Sequence, residues 1–177
     1  MRKTAHNSIE GFTLVELLVV IAIIAILAAV VVLIINPIEL TKRSRDAARL
    51  TDLANLQQAI NVAAQEATSS GTAILCVGGL SNGTTCSGNS NDAGSIRKSD
   101  GTGWVKVDLS SQKSVSVPTL PVDPVNNSIY HYTYKSDGNT WEIDAALESD
   151  QQKDKMKSDG GDNDNEYEVG SNLTLIN

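Results

Sequence analysis

The chain has 177 residues and a formal net charge of −7 at pH 7. This length leaves room for one small domain beside the apolar N-terminal segment. The charge is unevenly spread: residues 1–49 carry six basic and four acidic side chains, and residues 50–177 carry eight and seventeen. The acidic composition of the second part argues against a groove lined with Lys and Arg, so we expect no direct binding of nucleic acid.

Residues 17–35 form an uninterrupted apolar run of 19 residues that contains no charge, Pro or Gly. Because a helix rises about 1.5 Å per residue, the run is about 28 Å long, close to the ~30 Å hydrocarbon core of a bilayer. A core helix of a soluble domain would need a polar face, and this run has none. The run therefore predicts a membrane-spanning helix.

Glu16 stands one residue before the apolar run. A carboxylate inside a membrane segment costs a few kcal/mol, less near the helix end, and a plain anchor has no reason to carry it. If the chain is cut after Gly11, Phe12 becomes an N-terminal ammonium four residues from Glu16. Opposite charges attract strongly at low dielectric, so pairing between two chains would set the register of neighbouring helices.

A short basic leader ending in Gly11, the sequence Phe-Thr-Leu-Val-Glu at 12–16 and the apolar run together resemble the class III signal of type IV pilins and type II secretion pseudopilins. The resemblance implies that a prepilin peptidase removes residues 1–11, cutting between Gly11 and Phe12, and methylates Phe12. It implies that Glu16 neutralises the N-terminus of an adjacent subunit. It also implies an α+β, type IV pilin-like fold, in which a long N-terminal helix packs on a small antiparallel β-sheet.

A secretory signal peptide and a simple membrane anchor each account for less of the N-terminal segment. A signal peptide has an apolar region of about 7–15 residues followed by a small-x-small cleavage site, whereas this run is longer and an acid precedes it. A membrane anchor accounts for everything except Glu16 and the Gly11-Phe12 junction.

The basic residues around the run favour the opposite orientation. Arg2 and Lys3 precede the run and four basic residues follow it within 14 positions, so positive-inside counting would keep the C-terminal side in the cytoplasm. The pilin-like leader and the cysteines oppose this. We expect a single-pass protein of the cytoplasmic membrane with its C-terminal domain outside, which later becomes part of a cell-surface filament.

The long helix is predicted to run from residue 13 to about residue 69, with an interruption at Asn36-Pro37, because proline removes a hydrogen-bond donor and clashes with the preceding turn. This divides the chain into a leader at 1–11, an apolar filament-core helix at 12–36, an amphipathic continuation at 37–70 and a β-rich outer domain at 71–177. Charged residues between Lys42 and Asp52 form a collar, either solvated or touching lipid headgroups and neighbouring subunits. A helical apolar stripe then predicts burial against the sheet; it comprises Leu53, Leu56, Ile60, Ala63 and Ala67.

In the outer domain, apolar and polar residues alternate in the pattern that is typical of short strands. Val105, Val107 and Leu109 alternate with polar residues and predict one strand. A hairpin follows, with its turn at 136–139 and apolar residues on one face of each strand; these are Tyr130, Tyr132, Tyr134, Trp141, Ile143, Ala145 and Leu147.

The two cysteines, Cys76 and Cys86, enclose nine residues and match neither a CxxC redox pair nor a four-ligand zinc site. In a domain outside the cytoplasm they predict a disulfide. The alternative is a pair of free thiols in a cytoplasmic domain.

An acidic, glycine-containing loop lies near the C-terminus. Its carboxylates could bind Ca²⁺, which takes 6–8 oxygen ligands; the candidate ligands are Asp159, Asp162, Asp164 and Glu166. Their spacing is not that of an EF-hand. Major pseudopilins carry a C-terminal calcium loop, so the resemblance points the same way, while the alternative is a solvated acidic loop without an ion.

No catalytic constellation is present in the sequence: it has no phosphate-binding Gly loop, zinc motif or nucleophile elbow. We therefore expect a structural subunit and not an enzyme. The subunit would join copies of itself in a helical filament after processing by the prepilin peptidase and with the help of a pilus or secretion assembly platform. The alternatives are a pseudopilin of a type II secretion-like system and a monomeric, membrane-tethered binding domain.

Overall fold

The structure is a computed structural model that describes residues 11–67, 71–81, 83–94, 96–114 and 116–176. The predicted leader, apart from Gly11, and the last three residues of the predicted 37–70 segment lie outside this range. The chain forms two compact units that divide between Leu40 and Thr41, and each is described by itself.

The first unit contains helix α1, Leu14–Ile35. All of its side chains that the structure describes are exposed. Residues Leu14–Val32 form the one helix in the described part of the chain that is long and apolar enough to cross a membrane. A helix satisfies its own backbone hydrogen bonds, which is what the hydrocarbon interior requires of any spanning segment.

Helix α1 ends at Asn36, whose φ of 44° places it in the left-handed region and stops the helical ladder. Pro37 follows as the first residue of α2, Pro37–Glu66, a position where the missing N–H of proline does no harm. The Asn36 side chain accepts a hydrogen bond from the Glu39 N–H at 3.4 Å and so caps the new helix. The predicted interruption at Asn36-Pro37 is therefore present.

In the second unit, α2 packs on a four-stranded antiparallel sheet. The strands are β1 (Cys86–Asn89), β2 (Tyr132–Ser136), β3 (Trp141–Ala145) and β4 (Tyr167–Gly170), in the spatial order β1-β2-β3-β4. The second unit also contains two short helices, α3 (Gly71–Leu75) and α4 (Lys153–Met156). An apolar helix plus this sheet confirms the predicted α+β class.

One hydrophobic core holds α2 to the sheet. Leu53, Leu56 and Ile60 are at most 1% exposed, and they share the core with the apolar faces of β2, β3 and β4. Ala63 is buried as predicted, whereas Ala67 is only half-buried. The helical spacing of these residues thus identifies the face of α2 that packs.

The predicted hairpin is formed by β2 and β3, with Ser136 opposite Trp141. Gly138 takes a φ of 89° in the turn, a conformation that favours glycine. The core residues Tyr132 and Tyr134 satisfy their hydroxyls: Tyr134 donates to the Leu75 carbonyl at 2.7 Å and Tyr132 to Asp52 at 2.9 Å.

The strand predicted at 105–109 is not formed. Val105, Val107 and Leu109 are buried as the alternation predicted, but this stretch makes only an isolated bridge, between Asp100 and Asp108. Its backbone groups bond to irregular neighbours: Leu109 donates to the Ser99 carbonyl, and the Lys106 carbonyl accepts from Val77. Because no neighbouring strand continues the ladder at this stretch, the alternation correctly indicated which residues are buried but not that they form a strand.

Candidate functional site

The start of α1 is organised by a capping box between Thr13 and Glu16. The Thr13 N–H and hydroxyl both donate to Glu16 Oε2, at 2.8 and 2.7 Å. The Glu16 N–H in turn donates to the Thr13 hydroxyl at 3.3 Å. The carboxylate is therefore held at the N-terminal end of the helix, while Oε1 has no hydrogen bond to any residue that the structure describes.

The predicted cleavage junction lies immediately before this capping box. Gly11 precedes the helix without contacts at the position of a side chain, and Phe12 is 87% exposed. The structure thus places Gly11, Phe12 and Glu16 together at one exposed end of α1. Their roles in cleavage, methylation and register stay predictions.

Cys76 and Cys86 form a disulfide with an S–S distance of 2.04 Å. Both residues are buried in the core of the second unit. The bond joins the residue after α3 to the first residue of β1, so it fixes the sheet edge to the connection that follows α2.

Part of the predicted charged collar is buried, contrary to the expectation of a solvated or lipid-facing surface. Arg49 is fully buried and bonds Asp123 through Nε at 2.5 Å and through Nη2 at 3.0 Å. Its Nη1 meets Asp46 at 2.8 Å and Glu148 at 2.6 Å. Arg45 also binds Glu148, at 2.8 and 2.5 Å.

The buried Arg49 helps to lower the pKa of two acids that it binds, Asp123 and Glu148. Burial by itself would raise the pKa of Asp123, but the hydrogen bonds from Arg49 and from two backbone amides lower that pKa below its ordinary value. Hydrogen bonds from Arg45, together with Arg49, lower the pKa of Glu148 against a smaller effect of burial. Asp123 and Glu148 are therefore ionised and paired with arginine. The cluster joins α2 to the loops that cover it.

A second group of acids lies on the face of the sheet opposite the hydrophobic core. Glu142 and Asp144 alternate on β3 with the core residues, and Asp144 is the direct cross-strand partner of Glu168 on β4. Each of the three acids offers an oxygen within 4.8 Å of those of the others. They are 0%, 1% and 2% exposed, respectively.

Most oxygens of this carboxylate cluster lack a hydrogen-bond partner. Glu142 Oε2 accepts from the N–H groups of Leu175 and Ile176, both at 2.7 Å, and Glu168 Oε2 accepts from Asn163 at 3.4 Å. Glu142 Oε1, both oxygens of Asp144 and Glu168 Oε1 are buried and find no hydrogen-bond partner within the described ranges. Burial and the neighbouring carboxylates raise the pKa of Asp144 to about 9, and burial is also the main cause that raises the pKa of Glu168 to about 7.

The four loop acids predicted as calcium ligands lie near this cluster in the chain without forming one of their own among the described residues. Asp159 accepts from the Gly161 and Glu168 N–H groups at 3.1 and 3.0 Å. Asp162 and Asp164 are exposed and Glu166 is half-buried. Calcium binding by these four residues stays a prediction.

Sequence reasoning missed Glu142 and Asp144, since acids that alternate with apolar residues on a strand ordinarily face water. Glu168 lies at the end of the acidic stretch considered for calcium but was not among the four candidate ligands. The second face of β3 is covered here, and all five of its residues are buried. A covered second face depends on contacts from distant parts of the chain, which the local pattern does not reveal.

Residues 7–32 match the family described as the prokaryotic N-terminal methylation motif. The match contains the Gly11-Phe12 junction, Glu16 and most of α1. No curated protein and no solved structure matches the chain.

Proposed function

Because residues 7–32 carry the class III prepilin signal of type IV pilins and pseudopilins, we propose that the chain is a structural subunit of a type IV pilus-like helical filament. A prepilin peptidase cuts between Gly11 and Phe12 and methylates Phe12. The mature subunit stays in the cytoplasmic membrane, with its C-terminal domain outside, until an assembly platform adds it to the filament.

The exposed apolar surface of α1 supports this role. Its large hydrophobic side chains from Leu14 to Ile35 are 46–79% exposed wherever the structure describes them. Lipid covers such a surface in the membrane, and other copies of α1 would cover it in a filament. Head-to-tail contacts between identical subunits that do not close into a ring give an open fibre.

The observation that carries the proposal is the position of Glu16. The capping box holds this acid at the exposed start of an otherwise apolar helix. An acid at that point needs a cation when lipid or packed helices surround it, and cleavage creates one at Phe12. Pairing with the N-terminus of a neighbouring subunit would fix the axial step between subunits.

The test separates the charge of Glu16 from its capping role. Glu16→Gln keeps an amide oxygen that can complete the capping box but has no charge, Glu16→Ala loses both, and Thr13→Ala loses only the cap. We expect Glu16→Gln and Glu16→Ala to reduce sheared filaments at least about tenfold, because each leaves the N-terminal ammonium without its partner. Removing one partner of a buried ion pair costs about 3–5 kcal/mol, and about 1.4 kcal/mol already corresponds to a factor of ten. Thr13→Ala should reduce them less than either.

Two controls accompany the filament count. Carbonate extraction should leave all variants in the membrane fraction, and mass spectrometry should find Phe12 as a methylated N-terminus in the wild type. Abundant normal filaments from Glu16→Gln would refute the register role, and a mature wild-type protein that begins at Met1 would refute processing.

A pseudopilin of a type II secretion-like system is the second candidate, because the same signal occurs in both kinds of subunit. The sequence Leu120-Pro121-Val122-Asp123-Pro124 also resembles the Pro-Asp-Pro segment of major pseudopilins. Long surface fibres at the natural expression level would favour the pilus. Loss of exported proteins without loss of fibres on deletion of the gene would favour the secretion system.

A further inference from the structure

We propose that a cleft between α2 and the segment 116–121 binds a zwitterionic ligand, namely an amino acid or a short peptide with an apolar side chain. Asp52 receives the ammonium group of this ligand, and Arg97 receives its carboxylate. The cleft lies within the second unit, and ligand binding there does not depend on the proposed function of the chain.

The cleft has the size of a small-molecule site. Its volume is about 470 Å³, and such sites commonly measure about 300–1,000 Å³. Asp52, Asn55 and Leu56 line it from α2, since residues three and four apart on a helix are neighbours on its surface. Arg97 and residues of the segment 116–121 line the other side. The two charged side chains therefore share one cleft.

Asp52 offers a carboxylate that is only partly compensated. The residue is half-buried, and its Oδ2 accepts a hydrogen bond from the Tyr132 hydroxyl at 2.9 Å. Its Oδ1 accepts none from the residues that the structure describes. Burial raises the pKa of Asp52 more than the bond from Tyr132 and the charge of Arg97 lower it. A cation at Oδ1 would therefore gain more from this acid than from a fully solvated one.

Arg97 offers the complementary group. Its Nε donates to the Leu120 carbonyl at 3.1 Å, and its own carbonyl accepts from the Leu120 N–H at 2.9 Å. These two bonds hold the side chain at the wall of the cleft. Nη1 and Nη2 donate to no residue within the described ranges, and a guanidinium binds a carboxylate through two parallel N–H groups.

The separation of the two charges selects the class of ligand. Arg97 is close enough to lower the pKa of Asp52, yet the two side chains form no ion pair with each other. A simple cation or a simple anion would satisfy only one of them. A molecule that carries an ammonium group and a carboxylate satisfies both, and charge-assisted hydrogen bonds are the stronger kind.

The remaining lining fits the body of such a ligand. Leu56 and Pro118 supply apolar surface, while the amides of Asn55 and Gln58 can bond a peptide group. Of the described residues that line the cleft, none is aromatic, so the cleft lacks the stacking surface that would bind a nucleobase. An apolar amino acid or short peptide matches this combination.

The wall opposite α2 is formed before a ligand arrives. Pro118 and Pro121 each have a fixed φ, and the Pro121 carbonyl accepts a hydrogen bond from the Trp104 indole N–H at 2.9 Å. Trp104 itself is 1% exposed and belongs to the core. A wall fixed in this way needs little further ordering on binding, which favours affinity.

The experiment titrates the full chain in detergent micelles with L-leucine and with L-leucyl-L-leucine, and micelles without protein provide the blank. Calorimetry should show one site per chain with a Kd of about 10⁻³ M or lower for at least one of the two ligands. The ligand that binds more tightly identifies the source as a free amino acid or a peptide. At ten times its Kd, this ligand should raise the Tm of the second unit by about 3 °C.

Blocked ligands test each charge separately. N-acetyl-L-leucine lacks the ammonium group and L-leucinamide lacks the carboxylate. Each should bind at least about tenfold more weakly than L-leucine, because each loses a hydrogen bond between charged groups.

Matched variants assign the two charges to residues. Asp52→Asn keeps an oxygen for the Tyr132 hydroxyl and should bind L-leucine and N-acetyl-L-leucine within about threefold of each other. Arg97→Gln, at an exposed position, should likewise lose the preference for L-leucine over L-leucinamide. A merely structural residue would not exchange these preferences. The neighbouring exposed cation Lys98 does not line the cleft, so Lys98→Gln should bind within about threefold of the wild type.

Three results would overturn the proposal. The first is a wild-type chain with neither saturable heat nor a change in Tm at about 10⁻² M of either ligand, ten times the highest expected Kd. The second is equal binding of L-leucine and both blocked ligands. The third is binding that survives in Arg97→Gln but is lost in Lys98→Gln. Because Arg97 is exposed, its variant decides the matter even if Asp52→Asn does not fold.

Discussion

Arg49 shows how a single residue can carry contacts from distant parts of the chain. It is a fully buried cation with acids on three sides: Asp46 on its own helix, Asp123 on a loop 74 residues away, and Glu148 after β3. Removing one partner from such a group is strongly destabilising, because it leaves a buried charge uncompensated. The Arg49 guanidinium also lies 5.1 Å from the centre of the Tyr130 ring, which favours the charged form further.

Glu148→Gln tests this cluster through its pH dependence. The pKa of Glu148 is lowered below its ordinary value of 4.5 in the folded chain. The carboxylate therefore stabilises the fold fully above about pH 5, and this contribution is lost as the pH falls through the lowered pKa. We expect Glu148→Gln to lower the free energy of unfolding by about 2 kcal/mol at pH 7, as for a hydrogen bond to a charged group, and by much less at pH 3.

The measurement is urea unfolding of the full chain in detergent, followed by tryptophan fluorescence at pH 7, 5 and 3. Asp154 carries an exposed carboxylate, 88% exposed in its contact with Lys157, so Asp154→Asn should differ little from the wild type at every pH. A difference between Glu148→Gln and the wild type that stays constant down to pH 3 would show that the charge is not responsible.

At the scale of elements, the periodicity of the sequence predicted those features that depend on short stretches of the chain. The spacing of Leu53, Leu56 and Ile60 identified the packing face of α2, and the alternation at Tyr132 and Tyr134 identified the first strand of the hairpin, because α2 and β2 each bury mainly one face. Asn36-Pro37 identified the helix break, because proline excludes a continued ladder.

What the sequence did not reveal depends on contacts between distant segments. The stretch 105–109 has the alternation of a strand but no neighbouring strand. Arg49 has the surroundings of a surface residue in sequence, yet its partners come from loops far along the chain. Asp144 lies on a face of β3 that is usually exposed to solvent in such a strand, and the residues that cover this face come later in the sequence. Of the candidate site, sequence therefore identified the helix start and the disulfide but not the carboxylate cluster.

The disulfide should stabilise the second unit, because it links two of its secondary-structure elements covalently. It closes a loop with a sequence separation of 10 between α3 and β1, so loss of the bond should lower the free energy of unfolding by about 2–3 kcal/mol in the chain-entropy model. The double variant Cys76→Ser/Cys86→Ser, measured by urea unfolding, gives this value. Reductant should destabilise the wild type by a similar amount and leave the double variant unchanged; a double variant as stable as the oxidised wild type would contradict the expectation.

At the scale of the whole molecule, the chain joins two parts with opposite solvent requirements. The first unit carries a helix whose described side chains are all exposed and apolar apart from its polar start. The second unit has its own core and a disulfide, and disulfides persist in oxidising surroundings outside the cytoplasm. These features favour an external C-terminal domain against the basic residues that follow α1.

This orientation can be tested in cells that assemble no filaments. We expect protease added to spheroplasts to degrade the second unit and a thiol reagent to find Cys76 and Cys86 unreactive without prior reduction. Replacing Lys42 and Arg43 by Gln should leave both results unchanged if the leader dictates orientation. Protection from protease together with freely reactive thiols would place the domain in the cytoplasm.

The two carboxylate oxygens of Glu16 differ in their hydrogen bonding. Thr13 occupies Oε2 with both of its hydrogen bonds, so an incoming ammonium can approach Oε1 while the first helical turn stays closed. If Glu16 receives the neighbouring N-terminus as proposed, a subunit would not need to open its own first turn to bind the next one. Each addition to the fibre would then meet the same capped helix start.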